Sequence, residues 1–263
     1  MKYIFGLIFC LFISIPSFGQ NTDLLNDIVD ISDDFKNFKN TYFLADSLVS
    51  FDMESGTGEI RWQRNMYTTG HAFNNTLASL KVVDGNEFPG IEYAAHPALP
   101  FDIDFISPKT IRIRIQTGPQ FTSSDSSLMI EKPLLEDNSW DADQTEGDYV
   151  YKNQYGSVTI TTNPWHIEIR DAHGKLLTKT RHKSDSKTFT PVLPFSFVHR
   201  ASDYSRSVAA VFSLQPGEKI YGGGDTFSKL DKRGQRVYLW LNDPNGVQNE
   251  GMYKPVPVCV YVQ

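Results

Sequence analysis

The sequence predicts an all-β protein built as an antiparallel β-sandwich, entered through a short N-terminal helix. Three observations carry this. Apolar and polar residues alternate with a period of two, most clearly in "FDIDFI" (101–106) and "TIRIRIQT" (110–117). Turn formers interrupt such runs at short spacing, and helical periodicity is scarce after residue 40. At 263 residues, 40% hydrophobic and 21% charged, the chain can bury one sizeable core and is not a disordered segment.

The elements follow in order. Lys2, the apolar run "YIFGLIFCLFISI" (3–15), and the small Ser17 and Gly19 read as a signal peptide over 1–19, cleaved after Gly19. The run is too short to span a bilayer comfortably. The expectation is export to the periplasm or exterior of a bacterium, with no membrane span after cleavage. Cleavage removes Lys2 and Cys10, so the net charge of −6 becomes −7 and Cys259 is left alone, without a disulfide partner. Cys259 lies in the apolar "VPVCVYV" (256–262), which predicts a buried core thiol.

Residues 20–40 read as helix and linker, with "TDLLNDIVDI" (22–31) capped by Thr22 or Asp23. From residue 41 strands take over: "TYFLADSLVSFDM" (41–53), then "EIRWQRNMY" (59–67). The runs at 101–106 and 110–117 form a hairpin across Pro108 and Lys109. It turns Phe101, Ile103 and Phe105 one way and sets Asp102 and Asp104 against Arg112 and Arg114 on the other. "SVTITTNPWHIEIRDAHGKLLTKT" (157–180) gives three strands, turning at Asn163-Pro164 and at Asp171–Gly174. "SVAAVFSL" (207–214), "RVYLWL" (236–241) and "VPVCVYV" complete the series, and the acidic "LEDNSWDADQTEGD" (135–148) reads as a surface loop.

Several chemistries find no support. An acidic chain is unsuited to nucleic acid. Asp141, Asp143 and Thr145 open like a calcium loop, but Gly147 falls one place late and Lys152 stands where a Glu is needed. The six histidines show no metal-type spacing, and a single remaining cysteine builds no thiolate site. "GGGDTF" (222–227) is not a dinucleotide fingerprint, and neither a Walker A sequence nor a GxSxG elbow occurs. No cofactor is expected. What remains is the C-terminal stretch: three glycines, two polar turns, then Trp240, Asn242 and Asp243. An Asp beside a Trp suits a sugar, because a carboxylate accepts hydrogen bonds from vicinal hydroxyls while an aromatic face stacks on a pyranose. Asn242–Gly246 is also a good set of turn formers.

"LQPGEKIYGGGDTFSKLDKRGQRVYLWLNDP" (214–244) resembles the N-terminal domain of glycoside hydrolase family 31, the α-glucosidase and α-xylosidase family. The resemblance rests on Glu218, Tyr221, Gly222, Gly224, Leu230, Gly234, Asn242, Asp243, Tyr253 and Pro257, and covers roughly 40–263. Asp225 stands where that family usually has Glu, and Val256-Pro257-Val258-Cys259 replaces an Ile-Pro-Phe strand. The resemblance implies a galactose mutarotase-like supersandwich over 41–263, followed in the family by a (β/α)8 barrel absent from this chain. That barrel carries two Asp residues of a retaining mechanism, one attacking the anomeric carbon and one protonating the leaving oxygen. It further implies that Asp243, with Asn242 and Trp240, sits on a loop reaching the sugar in the barrel's pocket. The 263 residues alone are then expected to be inactive, and the intact polypeptide to be an exo-acting α-glycosidase. Alternatives are a free-standing carbohydrate-binding module, a mutarotase-like enzyme with a His and a Glu converging in the sandwich cleft, and a fragment lacking its neighbour.

Overall fold

The computed structural model describes residues 39–72, 75–83, 96–118, 137–182, 193–226, 228–235, 237, 239 and 254–262. The signal peptide and N-terminal helix lie outside these residues. The described part is all-β: β1 (Thr41–Asp52), β2 (Thr57–Ala72), β3 (Asn75–Val82), β4 (Ala98–Ser107), β5 (Thr110–Ile115), β6 (Asp141–Thr145), β7 (Asp148–Asn153), β8 (Gly156–Thr162), β9 (Trp165–Asp171), β10 (Leu176–Lys179), β11 (Ser196–His199), β12 (Arg206–Ala209), β13 (Lys219–Asp225) and β14 (Lys254–Val262).

Every pairing among them is antiparallel. One sheet runs β12-β11-β1-β2-β4-β5 with β3 also on β2, a second runs β10-β9-β8-β7-β6, and β13 and β14 form a separate ribbon. The two larger sheets face each other across an aromatic core. Phe43, Trp62, Phe101, Ile103 and Phe197 come from the first; Tyr151, Ile160, Trp165 and Ile167 come from the second. Phe101 meets Trp165 at 5.7 Å, and Phe43 stacks on Phe197 at 4.6 Å. A smaller cluster of Tyr42, Leu44, Leu193, Val198 and Ala209 lies on the opposite face of the first sheet, so β1 is buried on both sides over Thr41–Ala45.

The β4–β5 hairpin has the expected register. Phe101, Ile103 and Phe105 oppose Ile115, Ile113 and Ile111, and Asp102 and Asp104 oppose Arg114 and Arg112. The strands and turns expected over 157–180 also form. Asp171 builds its turn by accepting from the backbone N–H groups of His173 and Lys175, each at 2.9 Å.

Three readings need correction. The acidic stretch is a loop only in part, because Asp141–Thr145 is β6, an exposed strand hairpinned on β7. The same pairing lays the calcium-like spacing, already rejected, along the β6–β7 hairpin, where Asp141 opposes Lys152. "SVAAVFSL" is not one strand: β12 ends at Ala209, and Phe212 bridges Thr180 beside β10. Ser213 N–H then donates to Lys179 O at 2.8 Å, so this segment steps from one sheet to the other. Finally, Cys259 is exposed. It stands on a ribbon strand whose residues from Val256 to Val262 are all exposed, so an apolar sequence there does not mean burial.

Candidate functional site

The ribbon opens into the segment that carries the expected sugar contacts. Asp225 pairs with Lys254, so residues 226–253 leave and return at one paired base. Trp240, Asn242 and Asp243 belong to that excursion and lie outside the described residues, as does most of "RVYLWL".

The ribbon's glycines set its shape. Gly222 and Gly224 pair with Cys259 and Pro255, which leaves Val256, Pro257 and Val258 opposite Gly223 alone, a pronounced bulge. Gly222 has φ +114° and Gly224 φ +89°, and a Cβ on either would press into β14 backbone, 2.3 Å from Val258 O or 2.1 Å from Lys254 O. The run of glycines therefore answers to a close backbone approach, not to a phosphate.

The outgoing chain folds back on the ribbon through backbone-directed bonds. Lys232 N–H donates to Ile220 O at 2.7 Å. Asp231 Oδ1 accepts from the N–H groups of Arg233 (3.0 Å) and Ile220 (3.3 Å), and these bonds, Arg233's first, hold its carboxyl below the usual range. Arg233 reaches the carbonyls of Gln215 (3.0 Å) and Glu218 (2.6 Å). Glu218, buried, closes the turn before β13: its carboxylate accepts from Gln215 N–H at 2.7 Å, and its own N–H donates to Gln215 O at 3.2 Å. Lys232 is only 7% exposed, and its ammonium donates to the hydroxyls of Thr226 (3.3 Å) and Ser228. No carboxylate pairs with it among the described residues. Sequence reasoning missed Asp231, Lys232 and Arg233; the Asp-Lys-Arg-Gly order of a charged turn was the available signal.

The ribbon also shows apolar surface. Leu230 is 79% exposed, and Val256, Val258, Val260 and Val262 are exposed as well. Tyr261 is half-exposed, and the partial desolvation of its hydroxyl lifts it above its ordinary pKa, with Cys259 and Glu218 adding to the shift.

His166 and Glu168, a His and a Glu of the kind the mutarotase-like alternative requires, come within 3.8 Å of each other, and the His182 ring lies 4.9 Å from that of His166. His166 and Glu168 are on β9, where the alternate residues Trp165 and Ile167 point into the core, so the pair occupies the sheet's outward face and not the sandwich cleft. Glu168 is also paired with Arg170 at 2.8 Å. Side chains whose polar atoms approach to 3.8 Å leave no room for a sugar ring between them. Among the described residues, no three His, Cys, Asp or Glu side chains are placed to hold a metal ion, and no helix is long and apolar enough to cross a membrane.

Comparison with known proteins bears on the same region. Residues 100–263 match the family model described as the glycosyl hydrolase 31 N-terminal galactose mutarotase-like domain. Alpha-glucosidase 2 of Bacillus thermoamyloliquefaciens is 23% identical over 164 residues, covering 61% of this chain and 19% of that protein. The cycloalternan-forming enzyme of Listeria monocytogenes, solved with a pentasaccharide substrate, superposes with TM-score 0.54 at 15% identity, over 84% of this chain and 17% of its own. A dextranase of Flavobacterium johnsoniae, solved with isomaltotriose, gives TM-score 0.50 at 12% identity, over 83% and 21%. These superpositions show a shared fold. The chain spans about a fifth of the length of each of these relatives.

Proposed function

The chain belongs to the glycosyl hydrolase 31 family through its N-terminal galactose mutarotase-like domain, and on that premise we propose that it is the sugar-contacting front domain of an exported retaining α-glycoside hydrolase. In this reading Asp243, shaped by Asn242 and Trp240, completes the pocket of a following (β/α)8 barrel. That barrel supplies the nucleophile and the acid, and the 263 residues by themselves turn nothing over. The observation that carries the proposal is the paired base at Asp225 and Lys254. By sequence, the residues between these two positions include Trp240 and Asp243, and the ribbon they leave is separate from both sheets.

Three further features support it. The exposed valines of β14 make an apolar row of the kind that a packed neighbour covers. The relatives named above include an alpha-glucosidase, and two were solved with bound oligosaccharides, a pentasaccharide substrate and isomaltotriose. Residues 1–19 support export.

The test is Asp243→Ala in the intact polypeptide. Loss of one charge-assisted hydrogen bond to a sugar hydroxyl lowers kcat/KM by about tenfold to a hundredfold. Unchanged kcat/KM on every α-linked oligosaccharide that the parent hydrolyses would remove Asp243 from the pocket.

A further inference from the structure

We propose a second carbohydrate-contacting site, for one neutral hexopyranose unit, at the end of the sandwich remote in sequence from the Asp243 segment. It rests on the carbohydrate reading above but not on that segment. The site is a cleft of about 210 Å³ between the turn after β1 and the turn before β6. Glu54, Phe105, Asp137, Asn138, Trp140 and Tyr151 are among the residues lining it, and no described residue of β13 or β14 takes part.

The indole is held in place before any ligand arrives. Trp140 packs on Phe105 at 4.7 Å between centroids, Phe105 packs on Tyr151 at 4.5 Å, and Trp140 Nε1–H donates to Ser107 O at 3.2 Å. Tyr151 is fixed in turn by donating its hydroxyl to Met53 O at 3.0 Å, and burial pushes its pKa up to about 12, so it stays a neutral floor. A rigid aromatic wall loses little conformational entropy when a pyranose face stacks on it.

Polar groups at the rim complete the chemistry. Asp137 spends its carboxylate on Ser139, through the backbone N–H at 3.0 Å and the hydroxyl at 2.9 Å. Glu54 and Asn138 are exposed, and neither side chain has a hydrogen bond or ion pair among the described residues. One offers a carboxylate acceptor and the other an amide that both donates and accepts, a set that matches vicinal hydroxyls. The volume falls below the roughly 300–1,000 Å³ of drug-sized pockets, which favours a single ring over a chain. The Glu54 and Asp137 carboxylates disfavour an anionic sugar, and no described triad of ligands favours a metal ion.

The test is an NMR titration of the whole chain with maltose and isomaltose to about 100 mM, following indole N–H signals. A saturable shift of the Trp140 signal is expected, absent in Trp140→Ala. Because Trp140 packs on the core, Glu54→Ala and Asn138→Ala serve as surface variants, and each is expected to weaken binding by about fivefold or more. The Trp140 shift is expected to be unchanged in Asp243→Ala, and glucuronate to move it less than glucose does. No shift of the Trp140 signal, or parental binding by both surface variants, overturns the site. Binding lost only in Asp243→Ala also overturns it, while leaving the proposed function standing. Binding at Trp140 by a chain whose longer form proves to be no glycosidase would keep the site and remove only the proposed function.

Discussion

Gly224 backs directly onto the carbonyl of Lys254: a Cβ at Gly224 would lie 2.1 Å from Lys254 O and 2.6 Å from Val256 N. Its φ of +89° adds a conformation that side chains resist. Gly224→Ala is therefore expected to strain the ribbon by about 1–3 kcal/mol. No residue of β13 or β14 belongs to either core cluster, so the loss should stay local. Hydrogen exchange should quicken over Lys219–Asp225 while the melting temperature of the sandwich holds. Unchanged exchange in the ribbon would contradict the close approach.

Lys232 carries a charge into a site that offers it only hydroxyls among the described residues. Removing a buried charge in favour of an apolar side chain of similar length is often neutral or stabilising. Lys232→Met is thus expected to match or exceed the parent in urea unfolding, by up to about 1 kcal/mol. Lys232→Ala, which also loses packing, should be less stable than Lys232→Met. A clear loss in Lys232→Met would show that the ammonium's bonds to Thr226 and Ser228 outweigh the cost of burying it.

Asp102 is 2% exposed, and both of its contacts with Arg114, from Nε at 2.7 Å and Nη2 at 2.6 Å, fall on the same oxygen, Oδ2. The buried Oδ1 accepts no hydrogen bond. Burial raises the Asp102 carboxyl above its ordinary 3.8, and Arg114 pulls against that rise. A folded pKa above the unfolded one means that the folded state holds the proton more tightly. Stability from this group is therefore complete below the ordinary value and is lost as pH rises through the folded value. In urea unfolding between about pH 3 and pH 7, the parent should lose ground to Asp102→Asn as pH rises. Parallel profiles would show that Asp102 titrates normally.

The sequence made the β4–β5 hairpin legible because a strict alternation, bounded by Pro108 and Lys109, leaves one register that buries Phe101 and Ile103 together. It did not show that the charged face would bury Asp102, since burial of that face depends on what packs over it. β11 is only four residues long, and its pairing with the sequence-distant β1 decides it, whereas β3 and β7 hairpin with their chain neighbours and alternate too weakly to stand out. Cys259 failed for the opposite reason: its strand alternates with nothing and pairs only within the ribbon. At the site, Glu218, Gly222 and Gly224 were picked out by family likeness, and their physical roles proved to be a turn lock and a close backbone approach. Trp140 lay unremarked in an acidic stretch, although a Trp beside Asp141 is the same pairing that marked Trp240 and Asp243.

The central claim is that these residues front a longer α-glycosidase, and the most direct test is the mass of the native polypeptide in its source cells. A denaturing gel probed with an antibody to residues 20–263 should show one band several hundred residues heavier than the chain's 29.8 kDa. The protein in that band should release monosaccharide from an α-linked oligosaccharide. A sole band at or below 29.8 kDa would contradict the claim and leave a free-standing sugar-binding domain in its place.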